Sequence, residues 1–125
     1  MPAIGLNHFN LRAPKALLQE LRDFYCDMVG LIDGERPPFQ SFGYWLYAGD
    51  AAVLHLSEAG ADETRATATK TTFDHIAFSC TDFDAMRARL DARGLAYTYA
   101  DVPQRQQRQL LFDDPAGNGV ELNFS

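Results

Sequence analysis

At 125 residues, 46% of them hydrophobic and 22% charged, the chain has the size and composition of one ordinary globular domain. A formal net charge of −6, with only a short basic stretch at Arg105 and Arg108, argues against a nucleic-acid partner. The two cysteines, Cys26 and Cys80, form no CxxC pair, which argues against a thiolate metal centre. No apolar run approaches membrane-spanning length and no signal segment opens the chain, so a cytoplasmic protein with reduced thiols and no membrane partner is expected.

In chain order, Gly5–Leu11 alternates like a half-buried strand. A helix follows from near Pro14, a residue suited to a first turn. Its apolar stripe runs through Leu17, Leu21, Phe24 and Met28, widened by Leu18 and Tyr25, and Gly30 is its stop. Strands are expected at Leu31–Asp33, Gly43–Tyr47 and Ala52–Leu56, with Gly49-Asp50 as the turn between the last two. Residues 58–72 are polar and Ala/Thr-rich and read as a linker, which can fold back or reach a second chain.

The pattern then repeats. Phe73–Ser79 alternates as a strand, and Thr81-Asp82-Phe83-Asp84 has the spacing of a capping box. The helix it opens carries Phe83, Met86 and Leu90 on its apolar stripe and ends at Gly94. Strands at Ala96–Tyr99, Gln109–Phe112 and Val120–Phe124 follow, with a breaker-rich turn over 113–119. The order is β-α-β-β-β twice: an α+β fold with modules at about 4–57 and 73–125. Neither half has enough core to stand alone, so one domain is expected.

The chemistry-bearing residues follow the repeat. His8 and His75 stand on the first strand of each half, 67 positions apart, and His55 and Glu121 on the last, 66 apart. Strand alternation puts His8 with Asn10, His55 with Ser57, His75 with Ser79 and Glu121 with Asn123, each pair on one face of its strand. The purely apolar faces should pack on the helices. A lone inward histidine is usually a hydrogen-bonded core residue, and a glutamate near a C-terminus is usually a surface charge. Four such residues at matched positions instead form a cluster of the kind that marks a site. Two imidazoles and a carboxylate, with coordination positions left open, suit a catalytic divalent cation. Tyr44, Trp45 and Tyr47 are expected in core or pocket wall, Tyr97 and Tyr99 on the rim, and 104–109, with Arg105 and Arg108, as a solvated loop, a lid or an anion contact.

At these residues the chain resembles the vicinal oxygen chelate superfamily, also called the glyoxalase/bleomycin-resistance/dioxygenase superfamily. The resemblance rests on Gly5-Leu6-Asn7-His8, Phe24-Tyr25 with Val29-Gly30-Leu31, Asp74-His75-Ile76-Ala77-Phe78, and 114–122, which ends in Gly119-Val120-Glu121-Leu122. It implies paired modules forming a cup-shaped mixed sheet, helices outside, around one divalent metal (Fe, Zn, Ni or Mn) held by His8, His75 and Glu121. Glyoxalase I enzymes carry a further carboxylate on the fourth strand, where this chain has His55. His55 is therefore a candidate ligand, a candidate acid or base beside Glu121, or a pocket wall. The resemblance implies a glyoxalase-like lyase or isomerase acting on a small molecule that chelates the metal through neighbouring oxygens. An iron(II) extradiol dioxygenase and a non-enzymatic antibiotic-type binding protein are the alternatives. Candidate substrate contacts are Asn10, Tyr47, Ser57, Ser79, Asn123 and Arg108, and a homodimer is expected.

Overall fold

The computed structural model describes residues 2–125. They divide into two compact units, one ending at Arg65 and the other spanning Ala66–Ser125. Each unit is a βαβββ module, so the fold is the α+β arrangement that the repeat predicts.

The first unit contains β1 (Phe9–Ala13), α1 (Lys15–Phe24), β2 (Ile32–Gly34), β3 (Gly43–Ala48) and β4 (Ala51–Glu58). Its sheet has the order β1-β4-β3-β2, with β1 parallel to β4 and the other pairs antiparallel. Alternation sorts the faces. Leu46, Leu54 and Leu56 are shut from solvent on the α1 side, together with Leu18, Leu21 and Tyr25 from the helix and its continuation. Each buried leucine contributes about 1.5–3 kcal/mol by leaving water. The opposite face carries Asn10, Trp45, His55 and Ser57, brought level by the registers Asn10↔His55 and Trp45↔His55.

The second unit contains β5 (His75–Cys80), α2 (Phe83–Ala92), β6 (Thr98–Val102), β7 (Gln107–Asp113) and β8 (Gly119–Phe124). Its order, β5-β8-β7-β6, repeats the first, again with the outer β5–β8 pair parallel. Leu110, Leu122 and Leu90 are fully buried, and Phe83 packs edge-on against Phe124 at 5.2 Å. No helix among the described residues is long and apolar enough to cross a membrane.

Several boundaries differ from expectation for identifiable reasons. The alternation begun at Gly5 continues, but ladder pairing starts only at Phe9↔Leu54, so His8 lies just ahead of β1. The first helix ends in a π-helical turn, Tyr25–Val29, before Gly30 closes it at φ +91°. The capping box does not form. Asp82 occupies the N-cap in a left-handed conformation (φ 60°, ψ 58°), one residue later than the box requires, and no side chain caps the first turn. The third strand of the second module begins at Thr98, which leaves Tyr97 outside it. Of the two expected rim tyrosines, Tyr97 borders a hollow beside His75 and Tyr99 does not. Tyr97 bonds Arg87 and Asp91, and Tyr99 meets Phe83 edge-on at 5.7 Å on the α2 side. The segment between β4 and β5 is tied down at both ends. Glu63 pairs with Arg12 in the first unit, and Ala68 N–H donates to the Ala116 carbonyl in the second.

Candidate metal and substrate site

In each unit the repeat-related residues meet. His75 opposes Gly119 across the β5–β8 ladder, and Glu121 stands two places further along β8. His55 likewise stands two places beyond the position facing His8, which directly precedes the Phe9↔Leu54 pair. In the second unit this diagonal brings His75 Nε2 to 3.2 Å from Glu121 Oε1. In the first it stacks the His8 and His55 rings with centroids 3.7 Å apart. The registers thus bring the repeat-related residues of each unit into contact in pairs, which the spacing alone did not specify.

The hydrogen bonds determine which nitrogen is available. His75 Nδ1 faces Asp74 Oδ2 at 2.8 Å, and His8 Nδ1 faces Asn7 Oδ1 at 2.7 Å. Both partners are acceptors, so each Nδ1 carries a proton and a neutral ring leaves its lone pair on Nε2. A ligating histidine fixed through its other nitrogen has this arrangement. His55 is reversed: Nε2 donates to the Ala52 carbonyl at 3.1 Å, which leaves Nδ1 as the acceptor. Its ring also stacks on Trp45 at 3.9 Å and 7°, so it lies between indole and imidazole.

Glu121 is 6% exposed, and its Oε2 accepts from Gln109 Nε2 and Asn123 Nδ2, both at 3.2 Å. Its other oxygen faces the lone pair of a neutral His75. Two lone pairs 3.2 Å apart repel unless a proton or a cation lies between or beside them. The donor set therefore fits a divalent metal of borderline softness: one imidazole and one buried carboxylate, each held from behind. Among the described residues, no three His, Cys, Asp or Glu side chains form a metal-holding group.

The two sites have opposite electrostatics. The Asp74 hydrogen bond, helped by the charge of Glu121, raises the pKa of His75 above the ordinary imidazole value. Burial lowers that of His55, as do the nearby His8 and Arg36, against the opposing Ala52 hydrogen bond. Burial also raises the thiols of Cys26 and Cys80, both unpaired, which makes them poor nucleophiles.

The remaining candidates separate by face. Asn10 and Ser57 lie beside His55, with Ser57 Oγ donating to Asn10 Oδ1 at 3.1 Å. Tyr47 lies across Gly34 on the same face, its hydroxyl bonded to the Glu35 carbonyl. Ser79 and Asn123 are ladder partners on the Glu121 face. Arg108 stands on the other side of its sheet, its guanidinium 3.9 Å from the Phe83 ring centroid, and is not gathered with Glu121.

Sequence reasoning passed over four contributors. Asn7 and Asp74 precede the two histidines at the same repeat spacing, and that spacing was an available signal. Gly119 permits the close approach of β5, since a Cβ there would lie 2.2 Å from the Asp74 carbonyl oxygen. Arg36 lies on the irregular stretch between β2 and β3, where no periodicity marks it. With Asn10, Phe39, Ser41, Trp45, His55 and Ser57 it surrounds a hollow of about 220 Å³. A second hollow, about 360 Å³, adjoins His75, Lys70 and Tyr97 in the other unit.

Comparison with known proteins agrees with this fold. A glyoxylase/bleomycin resistance protein/dioxygenase domain from Frankia sp. EAN1pec superposes with a TM-score of 0.75 at 21% identity, covering 98% of this chain and 93% of that one. Lactoylglutathione lyase from Agrobacterium tumefaciens gives 0.67 at 23%, covering 100% and 96%. A point mutant of the fosfomycin resistance protein FosX from Listeria monocytogenes, complexed with Mn(II) and 1S,2S-dihydroxypropylphosphonic acid, gives 0.68 at 19%, covering 97% and 92%. At such identities these likenesses establish the fold alone. No curated protein matches the chain in sequence. The family model described as Glyoxalase/Bleomycin resistance protein/Dioxygenase superfamily matches residues 5–122, nearly the full length, and the chain belongs to that superfamily.

Proposed function

We propose that the protein is a divalent-metal-dependent lyase or isomerase of glyoxalase type, acting on a small molecule that offers two neighbouring oxygens to the cation. The observation that carries this reading is the His75–Glu121 couple, an oriented imidazole facing a buried carboxylate at 3.2 Å. His8, His75 and Glu121 would hold the cation, leaving positions for substrate. A cation there supplies Lewis acidity that stabilises enolate-like charge on the substrate. Glu121 is the candidate base for the proton at the adjacent carbon, and its amide partners Gln109 and Asn123 hold it in place. His55, whose Nδ1 lone pair accepts, is the alternative candidate base for that proton, and the Trp45 stack fixes its ring plane.

Calorimetric titration of chelator-treated protein with Ni, Zn, Mn and Fe(II) tests the first step. One site per chain is expected, lost in His8→Ala and Glu121→Ala. Binding of none of these metals sinks the enzyme reading, and unchanged affinity in both variants sinks the residue assignment. Turnover of a thiohemiacetal without oxygen uptake supports the lyase or isomerase; oxygen consumption with Fe(II) and a catechol selects the dioxygenase. The ring stack beside the first hollow gives a non-enzymatic binding protein its support, and that reading prevails if ligand binds without metal and nothing turns over. Sedimentation analysis checks the proposed homodimer.

A further inference from the structure

We infer that Arg36 makes the hollow of the first unit a receptor for the carboxylate of a small planar molecule that lies against Trp45. The inference rests on the proposed function, since it names the substrate class that this end of the site would admit.

Arg36 is half-buried and carries an uncompensated charge. Its Nη1 donates to the Ser41 carbonyl at 2.8 Å and its Nη2 to Ser41 Oγ at 3.3 Å. Its Nε is buried with no acceptor. Among the described residues no carboxylate pairs with it, whereas Arg12 on the same sheet is paired with Glu63. A buried N–H without an acceptor is unfavourable and is relieved by an incoming acceptor. The fold nevertheless accommodates this group closely. The guanidinium lies over Gly43, where a Cβ would come within 2.8 Å of Nη2, and 4.9 Å from the Phe39 ring centroid. Ser41 uses two of the five N–H donors, so the fork keeps donors for an oxyanion.

The rest of the lining narrows the ligand. His55 covers one face of Trp45, and the other indole face, beside Phe39, is the surface that favours a flat partner. Ser57 and Asn10 already satisfy one another through Oγ and Oδ1, which leaves the Asn10 amide nitrogen as a neutral donor. Among the described residues, Arg36 is the sole cation lining the hollow, which matches one negative charge. A volume of about 220 Å³ is below the range of about 300–1,000 Å³ typical of drug-sized ligands, so the occupant is small. A planar monocarboxylate meets each requirement.

Trp45 is the chain's one tryptophan, so its emission reports this hollow alone. Chelator-treated protein is titrated with benzoate and, separately, with the isosteric neutral benzamide, following fluorescence and heat. Benzoate is expected to bind roughly ten- to a hundredfold tighter than benzamide, the range of a charge-assisted hydrogen-bonded pair. Arg36→Gln should erase that preference and Arg36→Lys should keep part of it, with metal binding unchanged in both. Equal binding of the two probes by the unaltered protein overturns the inference without recourse to a variant, as does undiminished benzoate preference in a folded Arg36→Gln. The chelator-treated protein separates the two readings. Arg36-dependent benzoate binding in a protein that takes up no metal retains the carboxylate receptor and removes the enzyme. Metal binding without benzoate preference does the reverse.

Discussion

The residue before each histidine determines what the histidine can do. Asp74 holds the proton of His75 on Nδ1, and Asn7 does the same for His8. Asp74→Ala should therefore lower metal affinity by about 10–100-fold, the usual cost of losing an outer partner, while Asp74→Asn, which still offers an acceptor, should recover most of it. Calorimetry on the two variants checks this. A second residue-scale prediction concerns pH. Glu63 is pulled from 4.5 down to about 2, chiefly by its hydrogen bonds to Arg12 and then Arg65. A carboxylate whose folded value is depressed binds more protons unfolded than folded, so its contribution to stability rises with pH. That contribution should be complete above 4.5 and should fade as pH drops towards about 2. Denaturant unfolding of wild type and Glu63→Gln across this window should converge at its acid end. Because the pair is largely solvated, the difference at neutral pH should be small.

At the scale of elements, the sheets hold the site through leucines that never touch it. Leu54 is fully buried beside His55 in sequence and points to the opposite face. Leu54→Ala should cost about 2–5 kcal/mol of unfolding free energy, measured by urea titration, through lost burial and the cavity left behind. The existence, type and order of the elements were legible because a period of two for strands and a helical stripe recur twice. Strand limits were less legible, because alternation persists at Leu6 and His8 where the neighbouring strand offers no ladder partner. The capping box failed for a related reason. Its spacing is local, but the conformation of Asp82 depends on how the chain leaves β5. The matched strand positions of Glu121, His75 and His55 were legible from the repeat, whereas the placement of Arg36 was not. Its importance comes from Gly43 and Trp45 on the next strand, a relation that pairing creates and spacing along the chain does not show.

For the whole molecule, a cation taken up by the proposed ligands would bind the folded chain and not the unfolded one. Metal at a hundred times its Kd should then add about 2.7 kcal/mol to stability, and a chelator should remove it. Scanning calorimetry with and without metal measures this, and the increment should vanish in His8→Ala as fully as in Glu121→Ala.

The shared diagonal has a consequence for how such a chain can diverge. Both units place two side chains in contact by one offset along one parallel ladder, yet one unit fills it with imidazole and carboxylate and the other with two imidazoles. The backbone thus supplies a duplicated address, and the occupants of each copy are free to change separately. A new side chain at position 55 alters the reactive wall while Glu121 keeps its own place. Descendants of one doubled scaffold can in this way exchange proton chemistry without first losing the carboxylate that faces His75.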